Sequence, residues 1–193
     1  MNMTNSTEIF YPKNKAEWRS WLEQNHRSAN SVWLVYYKKK SKKPSLTWSE
    51  AVDEALCFGW IDSKAVPIDE DKYMQFFGKR KPKSVWSKIN KEKILRLTQD
   101  GHMTEAGFEI ITIAKENGSW YILDEVEELV VPTDLQQEFE KYKDSEEYFL
   151  SLSKSVRKSI LQWLVTAKKA ETRQKRINEI ATLAAQKLKP KPF

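Results

Sequence analysis

The sequence predicts an α+β protein, a small antiparallel β-sheet with flanking helices followed by an all-helical C-terminal module. Three observations predict it. Before Pro82, β-branched and aromatic runs alternate with segments of helical periodicity, and after Pro82 the apolar residues recur only at helical spacing. Eight Trp, seven Tyr and eight Phe among 193 residues supply a ring-rich core, and few Gly and Pro argue against a disordered chain. Pro132 and the acidic stretch around it mark the linker, so the expected domains are residues 1–125 and 133–189.

The elements follow in order. Asn14 to Gln24 carries Trp18, Trp21 and Leu22 on one helical stripe, and Ser31-Val32-Trp33-Leu34-Val35-Tyr36-Tyr37 reads as a strand. Lys38, Lys39, Lys40, Lys42 and Lys43 then form a loop or guarded strand edge that ends at Pro44. Thr47-Trp48-Ser49-Glu50 is a capping box, because the Thr hydroxyl and the Glu carboxylate each satisfy a free amide of the first turn. Helix 47–57 buries Ala51, Val52, Ala55 and Leu56, and Gly59 supplies the left-handed residue after it. Trp60 to Val66 and Tyr73 to Lys79 read as the arms of a hairpin turning at Pro67 and Asp69-Glu70-Asp71. Beyond it, Trp86, Ile89, Lys93 and Leu97 share a helical stripe, Thr104 caps a helix holding Ile110, Ile111 and Ala114, and Asn117-Gly118 closes that helix. Leu135 and Phe139, then Val156, Ile160, Trp163 and Leu164, then Ile177, Ile180, Ala184 and Leu188 give three or four more helices.

Charge and targeting signals narrow the function classes. The N-terminus has no basic start or apolar h-region and no run is long enough to span a bilayer, so the expectation is a cytoplasmic protein without membrane insertion. The single cysteine, Cys57, forms no internal disulfide and reads as a small buried hydrophobe. The net charge of +6 is segregated: Lys79 to Lys93 holds seven bases and one acid, Asp124 to Glu147 ten acids and two lysines, and Lys154 to the end eleven bases and two acids. Such blocks either steer acidic partners or cancel one another within the fold.

The candidate site is Phe58-Gly59-Trp60-Ile61-Asp62-Ser63 together with Arg80 and Ser84-Val85-Trp86-Ser87-Lys88-Ile89-Asn90. If the hairpin forms, Asp62 and Arg80 lie near one end of it, and the helix starting at Ser84 or Ser87 begins close by. An anion would then meet Arg80 and a helix N-terminus, with Trp60 and Trp86 as rings and Ser87 and Asn90 as polar groups. A purely structural arrangement is open too, with Asp62 and Arg80 as an ion pair, Trp86 as a core knob and Asn90 satisfying backbone groups.

Ala55-Leu56-Cys57-Phe58-Gly59-Trp60-Ile61-Asp62-Ser63, Lys79-Arg80-Lys81-Pro82-Lys83-Ser84-Val85-Trp86-Ser87-Lys88-Ile89-Asn90, Gly101-His102-Met103-Thr104-Glu105-Ala106-Gly107 and Trp163 through Ile177 closely resemble the YdeI/OmpD-associated, or bacteriocin-protection, family. The resemblance runs from about Phe10 to Leu188. It implies a bacterial, cytoplasmic protein tied to envelope stress and resistance to antimicrobial peptides. One departure is Phe76-Phe77-Gly78-Lys79-Arg80, where similar proteins have a Thr-Pro-Arg type of turn.

The leading expectation is therefore a non-enzymatic binding protein, holding a small acidic or aromatic ligand or a partner's side chain. A second expectation is a nucleic-acid-associated stress regulator using the basic surface of Lys168, Lys169, Arg173 and Arg176. A third is an unknown enzyme using Asp62. His26 and His102 are the only histidines, and no HExxH, phosphate loop, GxGxxG or paired cysteine motif is present, so no metal or cofactor is expected.

Overall fold

The computed structural model describes residues 7–191 and 193. Contacts divide the chain into a first unit, running through Ser84 and then Ile89–Ser119, and a second, Val85–Lys88 with Trp120–Phe193. The first holds a four-stranded sheet, β1 (Ile9–Phe10), β2 (Ser31–Tyr37), β3 (Trp60–Pro67) and β4 (Lys72–Lys79), in the order β1-β2-β4-β3. Its helices are α1 (Lys15–Asn25), α2 (Trp48–Cys57), α3 (Lys88–Gln99), whose first residue falls in the second unit, and α4 (Glu105–Glu116).

The hairpin forms as its turn residues dictate. β3 and β4 pair antiparallel, Trp60 opposite Lys79 and Pro67 opposite Tyr73, with a register shift between Asp62 and Ala65. β2 pairs antiparallel with β4, Val32 opposite Phe77. The sheet is not wholly antiparallel, however, because β1 runs parallel to β2. α1 lies between those two strands in sequence, and a helical crossover is the connection that parallel neighbours need.

One face of the sheet carries the core. Asn14 caps α1 by accepting from Glu17 N at 3.0 Å, which aims Trp18, Trp21 and Leu22 at the strands. Trp18 meets Phe77 edge-on at 5.6 Å and donates its indole N–H to Ala51 O at 3.0 Å, joining sheet, α1 and α2. The Thr47 capping box is present, Glu50 N on Thr47 Oγ1 at 3.2 Å and Thr47 N on Glu50 Oε2 at 2.7 Å. Each fully buried large apolar side chain here contributes about 1.5–3 kcal/mol.

Two details of the next helices differ from expectation. α3 buries Ile94 and Leu97, whereas Ile89 is 61% exposed and Trp86 precedes the helix. Lys93 sets that orientation: its ammonium reaches Asp53 Oδ1 at 2.5 Å and Ser49 Oγ at 2.7 Å on α2, turning the following residue, Ile94, inward. Thr104 does occupy the cap position of α4, but its hydroxyl donates to Cys57 O at 2.6 Å rather than accepting from the first turn. That bond ties α4 to the end of α2.

In the second unit the helices are α5 (Asp124–Glu127), α6 (Thr133–Phe139), α7 (Ser145–Ser151), α8 (Lys154–Val165) and α9 (Ala170–Ala185). They enclose Leu135, Phe139, Phe149, Ile160, Leu161, Leu164, Ile177, Ile180, Ala181 and Ala184. Leu188, placed on this stripe by periodicity, is 52% exposed, because α9 ends at Ala185 and Lys187 takes a left-handed φ of 57°. Acidic and basic blocks meet inside this unit. Asp134 receives Arg173 at 2.6 and 2.9 Å, and Glu127 receives Lys158 at 2.6 Å. Among the described residues no helix is long and apolar enough to cross a membrane.

Candidate functional site

The foot of the β3–β4 hairpin forms a cavity of about 300 Å³ in the first unit. Gly59, at φ 71°, turns the chain from α2 into β3, and Arg80 N donates to Gly59 O at 2.9 Å. Trp60 opposite Lys79 completes that end of the ladder, with the Trp60 indole N–H on His26 O at 3.4 Å. The cavity's walls are His26, Arg27, Phe58, Gly59, Trp60, Lys79 and Arg80 on one side and Ala106, Glu109 and Ile110 of α4 on the other.

Small residues let α4 come this close. A Cβ on Gly107 would collide with Cys57 O, and one on Gly59 would stand 2.8 Å from Ile110 Cγ1. Thr104 N adds a bond to Cys57 O at 3.2 Å. The two segments therefore fix the distance between the hairpin foot and the helix.

Electrostatics in the cavity favour an anion. Arg27, Lys79 and Arg80 stand against Glu109 alone among the lining carboxylates. Arg80 is only 5% exposed, and burial lowers its pKa to about 10 while Asp62 pulls the other way, so it stays a cation at neutral pH. Lys79 is pinned by donating to Arg27 O at 2.7 Å. Arg27 lies 3.9 Å from Glu105 and from Glu109, a distance at which exposed pairs contribute little. Phe58, Trp60 and Ile110 give the apolar wall that a ligand's body would contact.

Of the residues singled out from sequence, the cavity brings together Phe58, Gly59, Trp60 and Arg80. Asp62 is not among its walls: Asp62 Oδ2 accepts from Trp48 Nε1 at 2.9 Å and from Gln75 Nε2 at 3.0 Å. Trp86 is 2% exposed and packs on Trp120 at 5.0 Å in the second unit, to which Ser87 also belongs. Asn90 sits in the first turn of α3, half-buried. His26, Arg27, Lys79 and Glu109 were not singled out for the site. The small residues Ala106 and Gly107, which belong to a motif singled out for other reasons, were the available signal of a close approach.

The basic surface of the last helix is partly consumed. Arg173 is closed on Asp134, and the Arg176 guanidinium lies 4.7 Å from the centre of the Trp163 ring and donates to Trp163 O, leaving Lys168 and Lys169 exposed. A second cavity, of about 240 Å³, is walled by Glu50, Asp53, Glu54, Asp100, Lys15, Arg96 and His102. Three of its carboxylates are already engaged, Glu50 in the capping box, Asp53 with Lys93 and Arg96, and Glu54 with Arg19 at 2.9 Å. The Cys57 thiol is pushed up to about 11, chiefly by burial, and is therefore protonated and unreactive at neutral pH. Among the described residues no group of three or more metal-ligating side chains occurs.

Comparison with known proteins adds two matches. Residues 10–110 match the family model described as Domain of unknown function (DUF8412), and residues 128–187 match that described as Bacteriocin-protection, YdeI or OmpD-Associated. The hairpin and the first half of α4 fall within the first match and α6 to α9 within the second, so the YdeI/OmpD match covers the helical module rather than nearly the whole chain. No curated protein and no solved structure matches.

Proposed function

We propose that this chain, which belongs to the DUF8412 family over residues 10–110 and carries a YdeI/OmpD-associated module over residues 128–187, is a non-enzymatic binding protein whose first unit holds a small acidic ligand. One observation carries the reading: a cavity that has Trp60 and Phe58 as apolar wall also places a buried arginine, Arg80, beside Lys79 and Arg27. An anion in the cavity would meet these cations with charge-assisted hydrogen bonds. A carboxylate attached to an aromatic or aliphatic body satisfies both walls. The cytoplasm of a bacterium is the proposed setting, and the second module's family description supports a part in protection against bacteriocins.

A thermal-shift titration tests the reading, with benzoate and benzyl alcohol as a matched acid and neutral pair. Benzoate raises the melting temperature and benzyl alcohol does not. Ligand at a hundred times its dissociation constant adds about 2.7 kcal/mol. Lys79→Gln and Arg27→Gln weaken the response, and equal responses to both compounds refute an anion site.

A further inference from the structure

The second face of the sheet points to a different partner. Along β2, Val32 and Leu34 face the helices, so Trp33 and Tyr37 face the other way, and Phe76 of β4 joins them opposite Trp33. Trp33 and Phe76 meet edge-on with their ring centres 5.1 Å apart, and Tyr37 meets Tyr11 in the same manner at 5.0 Å. All four rings are partly exposed. The helices that pack on the sheet do so through Trp18 on Phe77 and Trp21 on Trp60, residues of the opposite face.

Cations frame these rings. Lys64 Nζ lies 5.4 Å from the centre of Trp33, and Lys43 Nζ lies 4.7 Å from that of Tyr37. The run after β2 adds Lys38, Lys39 and Lys42, and none of these five lysines forms an ion pair among the described residues. Asp69, Glu70 and Asp71 border Tyr37 and Lys43, but Asp69 and Asp71 are paired with Lys72 and Lys40 at 3.4 Å, so two copies joined through this face would bring mostly lysine against lysine. A strand of unpaired nucleotides suits it instead, because bases stack on rings while phosphates meet ammonium groups.

We infer that this sheet face binds single-stranded nucleic acid without sequence preference, bases on Trp33, Phe76 and Tyr37 and phosphates on Lys43 and Lys64. The site is separate from the cavity and from the last helix, where Lys168 and Lys169 are exposed.

Fluorescence anisotropy of a labelled 15-nucleotide oligothymidylate decides it, with the full chain titrated from low to moderate salt. Binding weakens linearly on a logarithmic salt axis, and the exposed double variant K43Q/K64Q reduces the slope by about 1.4, at about 0.7 for each lost phosphate contact. Phe76→Leu, which keeps apolar bulk but loses the ring, weakens binding about 5-fold or more while the melting curve confirms folding. K168Q/K169Q leaves affinity unchanged. The inference is overturned by no binding at low salt, by equal affinity for polyglutamate, by loss of binding in K168Q/K169Q, or by sedimentation showing a dimer that Phe76→Leu dissociates.

Discussion

In the second unit the acids Asp134 and Glu127 close on Arg173 and Lys158, whereas at the hairpin foot of the first Arg27, Lys79 and Arg80 share one cavity with the single carboxylate of Glu109. Both regions are rich in charge, but the pairs of the second unit close to 2.6 Å, whereas Arg27 stands 3.9 Å from Glu105 and Glu109. The first unit has closed pairs too, Asp53 with Lys93 and Glu54 with Arg19, but those join helices. The difference separates charge that secures the fold from charge that the proposed ligand would meet, a distinction that composition alone does not make.

Four substitutions sharpen or break that contrast. Phe149→Ala removes a side chain 1% exposed in the helical core, and chemical denaturation should show a loss of about 3–5 kcal/mol. Gly107→Ala places a methyl against Cys57 O and should cost about 1–3 kcal/mol while forcing α4 from the cavity, so the benzoate response falls as well. A full response in that variant would show that α4 is not a wall of the site.

The smaller effects discriminate more finely. Asp134 is held below the usual carboxylate range first by the Arg173 hydrogen bond and then, against desolvation, by its charge. Its stabilisation is present above the unfolded value of about 3.9 and is lost as pH falls through the lower folded value. Asp134→Asn should therefore flatten the acid limb of the stability profile, costing about 0.5–1 kcal/mol at neutral pH because the pair is partly exposed. Lys79→Gln should leave stability within about 0.5 kcal/mol and reduce ligand response. If it destabilises as Asp134→Asn does and leaves binding intact, the cavity lysine belongs to the fold.

Sequence made local features legible and left the site half-seen. The Thr47 capping box, Gly59 as a left-handed stop and the strand over Ser31 to Tyr37 depend on neighbours within a few residues, and all appear as expected. The α+β class follows from them. Trp60 and Arg80 share the cavity because the hairpin sets Trp60 opposite Lys79 and Arg80 N on Gly59 O. Trp86 and Asp62 lie outside the cavity's walls because of tertiary packing. Trp86 precedes α3 and is buried against Trp120, a ring far along the sequence that no periodicity connects to it. Asp62 is turned to Trp48 and Gln75, partners set by tertiary packing. Arg27 and Glu109 escaped because each sits in a different helical or loop segment with no pattern of its own.

The central claim is that the hairpin foot receives an anion, and amide-resolved NMR of the chain titrated with benzoate tests it most directly. The account predicts saturable shifts concentrated at Gly59, the Trp60 indole, Arg80 and Ala106, diminished in Lys79→Gln. Shifts centred elsewhere, or none at millimolar benzoate, would contradict it.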